Sequence, residues 1–369
     1  MKKHKISTLT RRPNLNYIAF IKFWAMILII KWHIFIWETK PIDYGARMCE
    51  ILFISSGFLV GYNYYKREME ETFTNAFKYT YKHIRTFYPL DLINVMYAVY
   101  RHNKKFDKTD IESLILNISL LKSWSRYINS VRCFSRISWF LSSLLFCYFC
   151  TPFLLKGIKT IKSSLLLFVT VAFIRIVIEE YIRKGKEAIN ILDLDFHRGP
   201  GIRCMEFFLG MLTIPTFFKI KKILEPLRNN FLIKVLFTII QLVSPLIIYN
   251  LMLKYDQILL RCHFVLIFCF FIFIFGYDYG YLSDILSSKS CKLIMSCQME
   301  MYLLQRTVNT IIKQIISNFN WKFNDNSESQ FIIKTIIIFI VAFVYKSLLK
   351  QPLAKMLDSI VKILQHLYK

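Results

Sequence analysis

The sequence contains little glycine, little proline and few acidic residues. Of its 369 residues, 10 are Gly and 9 are Pro, and Asp and Glu number 24 against 49 Lys and Arg. Transporters often contain helices broken by Gly or Pro and inverted sequence repeats. Neither feature is clear here, which argues against that class of membrane protein.

Cysteine patterns typical of metal and redox sites are also missing. The nine Cys are scattered, and the one C-x-x-C pair, Cys147 and Cys150, lies inside the apolar run 139–155. A structural zinc site needs a second Cys or His pair, and no such pair matches this one. We therefore interpret the two thiols as small apolar residues, and we expect no bound metal or cofactor.

Apolar and aromatic residues dominate the composition. The chain is 55% hydrophobic and 17% aromatic, with a mean hydropathy of +0.40. Its apolar runs are about as long as the ~20 residues that cross a bilayer. We therefore predict an all-α, polytopic membrane helix bundle with about ten transmembrane helices.

The net charge of +25 fits this class because cytoplasmic loops of membrane proteins collect Lys and Arg. We expect a lipid bilayer and no nucleic acid as a partner. The predicted spans are 18–36, 48–65, 86–100, 139–155, 163–182, a sixth from 201, 231–249, 263–282, a ninth around 296–308, and 331–349.

The predicted organisation is a basic cytoplasmic N-terminus (1–15), one membrane domain (16–350) and a basic cytoplasmic tail (351–369). We expect a multi-pass protein of the cell membrane, of the bacterial inner-membrane type, with both termini in the cytoplasm. No cleavable signal peptide is evident. The segment 101–136 falls on the outside in this topology although it is basic, and the short apolar stretch 114–121 within it is expected at the interface.

The first predicted span carries ionisable residues, which are costly in a bilayer and usually face a protein interior or a wet cavity. Lys22 and His33 are eleven residues apart. This spacing places them on one helix face, roughly 16 Å apart along the axis. The second span contains the run LFISSGF at 52–58.

This pair of segments resembles acyltransferase family 3, integral-membrane enzymes that acylate surface glycans and other acceptors. That family typically has Arg, ten residues and His in its first helix, followed by a Phe-rich run ending Ser-Gly-Phe. Lys22 stands in the Arg position and His33 in the His position. Lys is a compact point charge whereas Arg is a planar fork, so the substitution changes the contacts available at this position.

Later segments resemble the family in the same order along the chain. GIRCMEFFLGM (201–211) resembles Arg-x-x-Glu-Phe-x-x-Gly-Met, and Tyr302 matches a Tyr in the ninth helix. Three positions differ: Leu144 replaces a Glu found in many members, Gln305 replaces His, and Thr307 replaces Pro.

The resemblance implies O-acetylation or a related transfer of an acyl group, usually acetyl, from acyl-CoA to a hydroxyl of a surface glycan, lipid-linked glycan or other envelope acceptor. Acyl-CoA would be a donor substrate that arrives from the cytoplasm. The implied catalytic residues are His33, as base or acyl carrier, and Lys22. The implied donor-binding residues are Arg85 and Lys82, and the implied substrate-binding residues are Glu50, Arg203, Glu206 and Tyr302.

Each assignment has a structural alternative. His33 can be a buried, hydrogen-bonded histidine, and Lys22 a helix-end anchor. Arg85 and Lys82 can be ordinary cytoplasmic anchors, while Arg203 and Glu206, one turn apart, can form a structural ion pair. Ser56-Gly57 is interpreted as a close-packing position rather than a nucleophile.

Two other functions stay open. The alternative class is a membrane transporter or flippase of a glycan or lipid-linked substrate. The other possibility is a non-catalytic family member that binds acyl donors or glycans. The loop residues Asp193, Asp195 and His197 are a further candidate for contact with a cation or a sugar.

Overall fold

The fold is described from a computed structural model, and the structure describes residues 15–35, 44–65, 67, 69–102, 105–124, 134–135, 137–184, 198–254, 264–319 and 328–367. Most of these residues are helical, and none of them lies in a strand. The α-helices are α1 Asn16–Phe35, α2 Tyr44–Tyr64, α3 Phe73–Ile84, α4 Tyr88–Tyr100, α5 Lys108–Ile118, α6 Ser138–Leu154, α7 Ile161–Lys184, α8 Pro200–Leu212, α9 Ile214–Leu224, α10 Phe231–Lys254, α11 Phe264–Phe275, α12 Tyr281–Leu286, α13 Lys289–Met295, α14 Gln298–Asn318, α15 Glu328–Val344 and α16 Lys350–Leu367.

Helix α1 lies at the centre of the bundle. It contacts α2, α11, α12, α13, α14 and α15. Its sequence has neither Gly nor Pro, so nothing in it breaks the backbone hydrogen-bond ladder. The predicted first span is therefore present as one continuous helix, and the eleven-residue spacing keeps Lys22 and His33 on one face.

The first turn of α1 is held by a residue from far along the chain. The amides of Asn16 and Tyr17 donate to the carboxylate of Asp278, at 3.4 Å and 3.2 Å. Asp278 lies between α11 and α12 and has a φ of 59°. Since the first amides of a helix have no partner within the helix, this carboxylate acts as their cap.

Helices α2 and α8 pack with their backbones in contact. A Cβ placed on Gly57 of α2 would lie 1.7 Å from the carbonyl oxygen of Phe207, and one on Gly210 of α8 would lie 2.0 Å from that of Ile54. Small residues permit such close approach between membrane helices. The interpretation of Ser56-Gly57 as a close-packing position agrees with this geometry.

Five helical segments among the described residues are long and apolar enough to cross a membrane: Asn16–Phe35, Ser138–Ile158, Ile161–Tyr181, Phe231–Leu253 and Glu328–Ile363. The α7 and α10 segments turn most of their apolar side chains outward, since only 17% of each is buried. Such long apolar helices are compatible with a membrane protein. The predicted number of about ten spans is not confirmed by this test.

Several segments differ from the sequence prediction. The predicted inner loop before residue 86 contains α3, whose N-terminus is capped by Thr72, which accepts from the Asn75 amide at 3.2 Å. The predicted span 263–282 ends instead at Phe275, and α12 begins after a break. The predicted tail 351–369 continues the helical run from α15 through a π-helical turn, Tyr345–Leu349, into α16.

Candidate functional site

Lys22 lies in a cavity of about 150 Å³ between α1, α2, α4, α6, α14 and α16, which we call the Lys22 cavity. Its Nζ donates to Ser56 Oγ at 3.2 Å. Ser56 Oγ in turn donates to the Leu52 carbonyl, one turn earlier on α2, at 2.6 Å. The ammonium group therefore points into the bundle, and the Ser of the SSGF run is its partner.

The polar lining of the Lys22 cavity comes from residues far apart in sequence: Lys22, Ser56, Ser296, Gln298, Tyr302 and Lys350. Tyr302, predicted to bind substrate, lies here with Lys22, and Leu144 also lines the cavity. The lining carries two cations and no carboxylate among the described residues. Because Lys350 already pairs with Glu300, it is chiefly Lys22, whose partner is the Ser56 hydroxyl, that can attract a negatively charged group here.

Lys350, which also lines the Lys22 cavity, was missed by the sequence analysis. Its Nζ contacts Glu300 Oε1 at 2.6 Å and lies 4.3 Å from the ring centroid of Phe87. A π-helical turn, Tyr345–Leu349, directly precedes Lys350. Such turns often mark functional sites, but this turn can be recognised only in the structure.

His33 lies near the other end of α1 and is half-buried. Its Nδ1 is buried and has no hydrogen-bond partner among the described residues. The Trp32 ring lies 4.8 Å away, between centroids, and the guanidinium groups of Arg198 and Arg306 act on His33 electrostatically. A histidine with an unused ring nitrogen can accept or donate a proton when a substrate arrives.

The predicted substrate residues Arg203 and Glu206 are engaged in ion pairs at the core of the bundle. Arg203 contacts Glu206 Oε2 at 2.6 Å, and Arg175 of α7 contacts Glu206 Oε1 at 2.9 Å. All three side chains are at most 1% exposed. The Arg203 guanidinium also lies 5.6 Å from the ring centroids of both Phe53 and Trp139.

The same network includes Glu50. Arg47 contacts Glu50 at 2.5 Å and Glu179 at 2.9 Å, and Arg175 contacts Glu179 at 2.7 Å. Arg175 also lies 3.6 Å from Glu50. Glu50, an implied substrate-binding residue, therefore faces the two arginines Arg47 and Arg175.

We call these six residues, Arg47, Glu50, Arg175, Glu179, Arg203 and Glu206, the ion network. It joins α2, α7 and α8 and carries three positive and three negative formal charges. Buried charges require partners of this kind. Sequence reasoning found the Arg203–Glu206 pair from its spacing, and Arg175 inside an apolar helix was the available signal for the rest.

The predicted donor residues do not line the Lys22 cavity. Arg85 pairs with Asp358 of α16, and Tyr81 donates to the same carboxylate at 2.6 Å. Lys82, in the last turn of α3, is exposed. Phe87, two residues after Arg85, does line the cavity.

The remaining candidate residues, the acidic loop residues with His197 and the C-x-x-C cysteines, do not form a binding site among the residues that the structure describes. Asp193, Asp195 and His197 lie outside the described residues. Cys147 and Cys150 are free thiols that lie near Cys204 of α8. Within the part of the chain that the structure describes, no group of three or more His, Cys, Asp or Glu side chains is arranged to hold a metal ion.

Comparison with known proteins adds no relative: no protein-family model, no curated protein and no solved structure matches this chain.

Proposed function

We propose that the protein is an integral-membrane acyltransferase that moves an acyl group, usually acetyl, from acyl-CoA to a hydroxyl of a glycan or related envelope acceptor. One observation carries the proposal: the central helix α1 presents Lys22 to a dibasic cavity and, about three turns further on, a histidine whose Nδ1 is unused. This arrangement offers an anion site and a base on one rigid element, at separate depths.

The donor is assigned to the Lys22 cavity. Acyl-CoA carries phosphates, which cations bind well, and Lys22 and Lys350 both line this cavity. Tyr302 lies at its wall. Arg85 and Lys82 are assigned to the edge at which the donor arrives, where Arg85 shares Asp358 with Tyr81.

The chemical step needs a proton acceptor. His33 takes the proton of the acceptor hydroxyl while the hydroxyl oxygen attacks the thioester carbonyl. The carbon–sulfur bond breaks, the ester forms, and the CoA thiolate leaves and takes up the proton from His33. The neutral imidazole can perform this exchange because one of its ring nitrogens can accept a proton and then release it.

We further propose about ten membrane crossings with both termini in the cytoplasm, in the cell membrane. The opposite directions of α1 and α15 fit an even number of crossings: Lys31 near the end of α1 pairs with Glu328 at the start of α15, at 2.7 Å. In this arrangement α3 and α16, which carry exposed lysines such as Lys78 and Lys355, lie on the cytoplasmic side, as the charge rule requires.

The test is acetyl transfer by the purified full chain in nanodiscs, with labelled acetyl-CoA and a cell-envelope extract as acceptor source. Thiol reagents are unsuitable because the chain has nine cysteines of its own. We expect His33→Gln to lose at least 100-fold in turnover, the lower range for a general base. Lys350→Met is expected to raise the KM for acetyl-CoA without a comparable loss of kcat.

Two exposed residues provide matched controls, His366→Gln and Lys355→Met, and both should keep wild-type kinetics. Equal turnover by wild type and His33→Gln would make His33 structural and refute the site. Failure of the folded wild-type protein to turn over any acceptor in the extract would favour the transporter or the non-catalytic binder.

A further inference from the structure

A second polar cavity lies between α4 and α14, and its lining residues on α14, 303–310, follow directly after those of the Lys22 cavity. Its volume is about 240 Å³, the room of roughly eight water molecules at ~30 Å³ each. That is enough for one charged sugar ring. We call it the Arg101 cavity.

Two arginines line this cavity: Arg101, which directly follows the last residue of α4, and Arg306 of α14. The polar groups beside them are Asn94, Tyr97, Ser135, Thr307 and Thr310. No carboxylate is among the described residues that line the cavity. Since guanidinium groups bind carboxylates and phosphates in a planar, bidentate manner, the lining favours an anion.

The hydroxyl and amide groups form a fixed wall. Thr307 donates to Asn94 Oδ1 at 2.8 Å, and Asn94 donates to the Leu303 carbonyl at 2.8 Å. Thr307 stands where the resembled family has Pro. Its hydroxyl and the Asn94 amide therefore join α4 to α14 beneath the two arginines.

One lining residue, Arg306, also lies within electrostatic range of His33. A ligand anchored at the arginines would place its neighbouring groups toward that histidine. Arg306 thus belongs both to the cavity and to the surroundings of His33.

We propose that the Arg101 cavity binds an anionic group of the acceptor, so that the acceptor is a glycan bearing a carboxylate or a phosphate beside the hydroxyl that is acylated. This inference rests on the proposed function and names its substrate class. The shared chemistry is a negatively charged oxygen group on a polyhydroxylated chain.

Direct binding tests it without acyl-CoA, so a failure here differs from a failure of turnover. The full chain is placed in nanodiscs of neutral lipid, which removes competing anionic headgroups. The fluorescent probes are trigalacturonic acid, a glycerol phosphate trimer and the neutral trisaccharide maltotriose. We expect at least one charged probe to bind at least tenfold more tightly than maltotriose.

Arg101→Gln and Arg306→Gln should each weaken that binding at least tenfold. Lys313→Gln removes the same charge from an exposed position of α14 outside the cavity, and it should leave the affinity within twofold. Preference for the uronate or for the phosphate identifies the anion. The proposal is overturned if neither charged probe binds in an arginine-dependent way, or if maltotriose binds equally well.

Discussion

The contact between α2 and α8 gives the sharpest structural prediction, through Gly57→Ala. The added Cβ would lie 1.7 Å from the Phe207 carbonyl oxygen and 2.6 Å from its carbonyl carbon, whereas real Cβ atoms essentially never approach a neighbour closer than 3.0 Å. Because the obstacle is backbone, no side-chain rotation relieves it, and the helices must separate by roughly 1.3 Å in a close-packed interior.

Overpacking of this kind costs typically about 1–3 kcal/mol and occasionally more. Gly57→Ala belongs at the upper end because helix separation also lengthens the contacts of the ion network, which joins the same two helices. The helix propensity gained by replacing Gly with Ala, about 1 kcal/mol, offsets part of this. We expect a net loss of about 2 kcal/mol.

The measurement is reversible unfolding of the protein in mixed micelles, followed by tryptophan fluorescence. Gly201→Ala is the matched control, since Gly201 lies in α8 and its added Cβ meets nothing within 4 Å. The control should unfold at the wild-type denaturant concentration or above it. If Gly57→Ala is as stable as Gly201→Ala, the α2–α8 backbone contact is wrong.

Two further predictions concern charge. Glu206→Gln leaves Arg203 and Arg175 without the carboxylate they share and should destabilise the fold by about 3–5 kcal/mol, whereas Glu206→Gln combined with Arg203→Gln should recover part of that loss in the same unfolding assay. Burial lowers the pKa of His83 below its usual value of 6.5. As the pH falls, the unfolded chain therefore binds a proton at this residue before the folded chain does, and the free energy of unfolding decreases below about pH 6.5. His83→Gln should flatten this part of the pH–stability curve, and an unchanged curve would contradict the assignment.

The sequence was sufficient where the information is local. The continuous helix with Lys22 and His33 on one face follows from span length and helical periodicity, and the Arg203–Glu206 pair follows from their spacing. The helix break after Phe275 also had local signals in the sequence, Gly276 and Gly280. We nevertheless predicted a continuous span there because the segment is strongly apolar.

The sequence did not predict pairs of residues that come into contact only through tertiary packing. Nothing in the α16 sequence indicates that Lys350 reaches the cavity of Lys22, and nothing near Glu50 indicates that it faces Arg175. The same limit applies to the Arg101 cavity, because its two arginines come together only when α4 and α14 pack side by side.

The cap on α1 has a consequence for how the chain assembles during synthesis. The first turn of α1 depends on Asp278, which follows Asn16 by 262 residues. At about 5–20 residues per second, the ribosome reaches Asp278 roughly 13–52 s after it has passed Asn16. The first amides of α1 therefore lack this cap until Asp278 has been made. The order of synthesis and the order of assembly are thus different, and the candidate histidine reaches its final surroundings late.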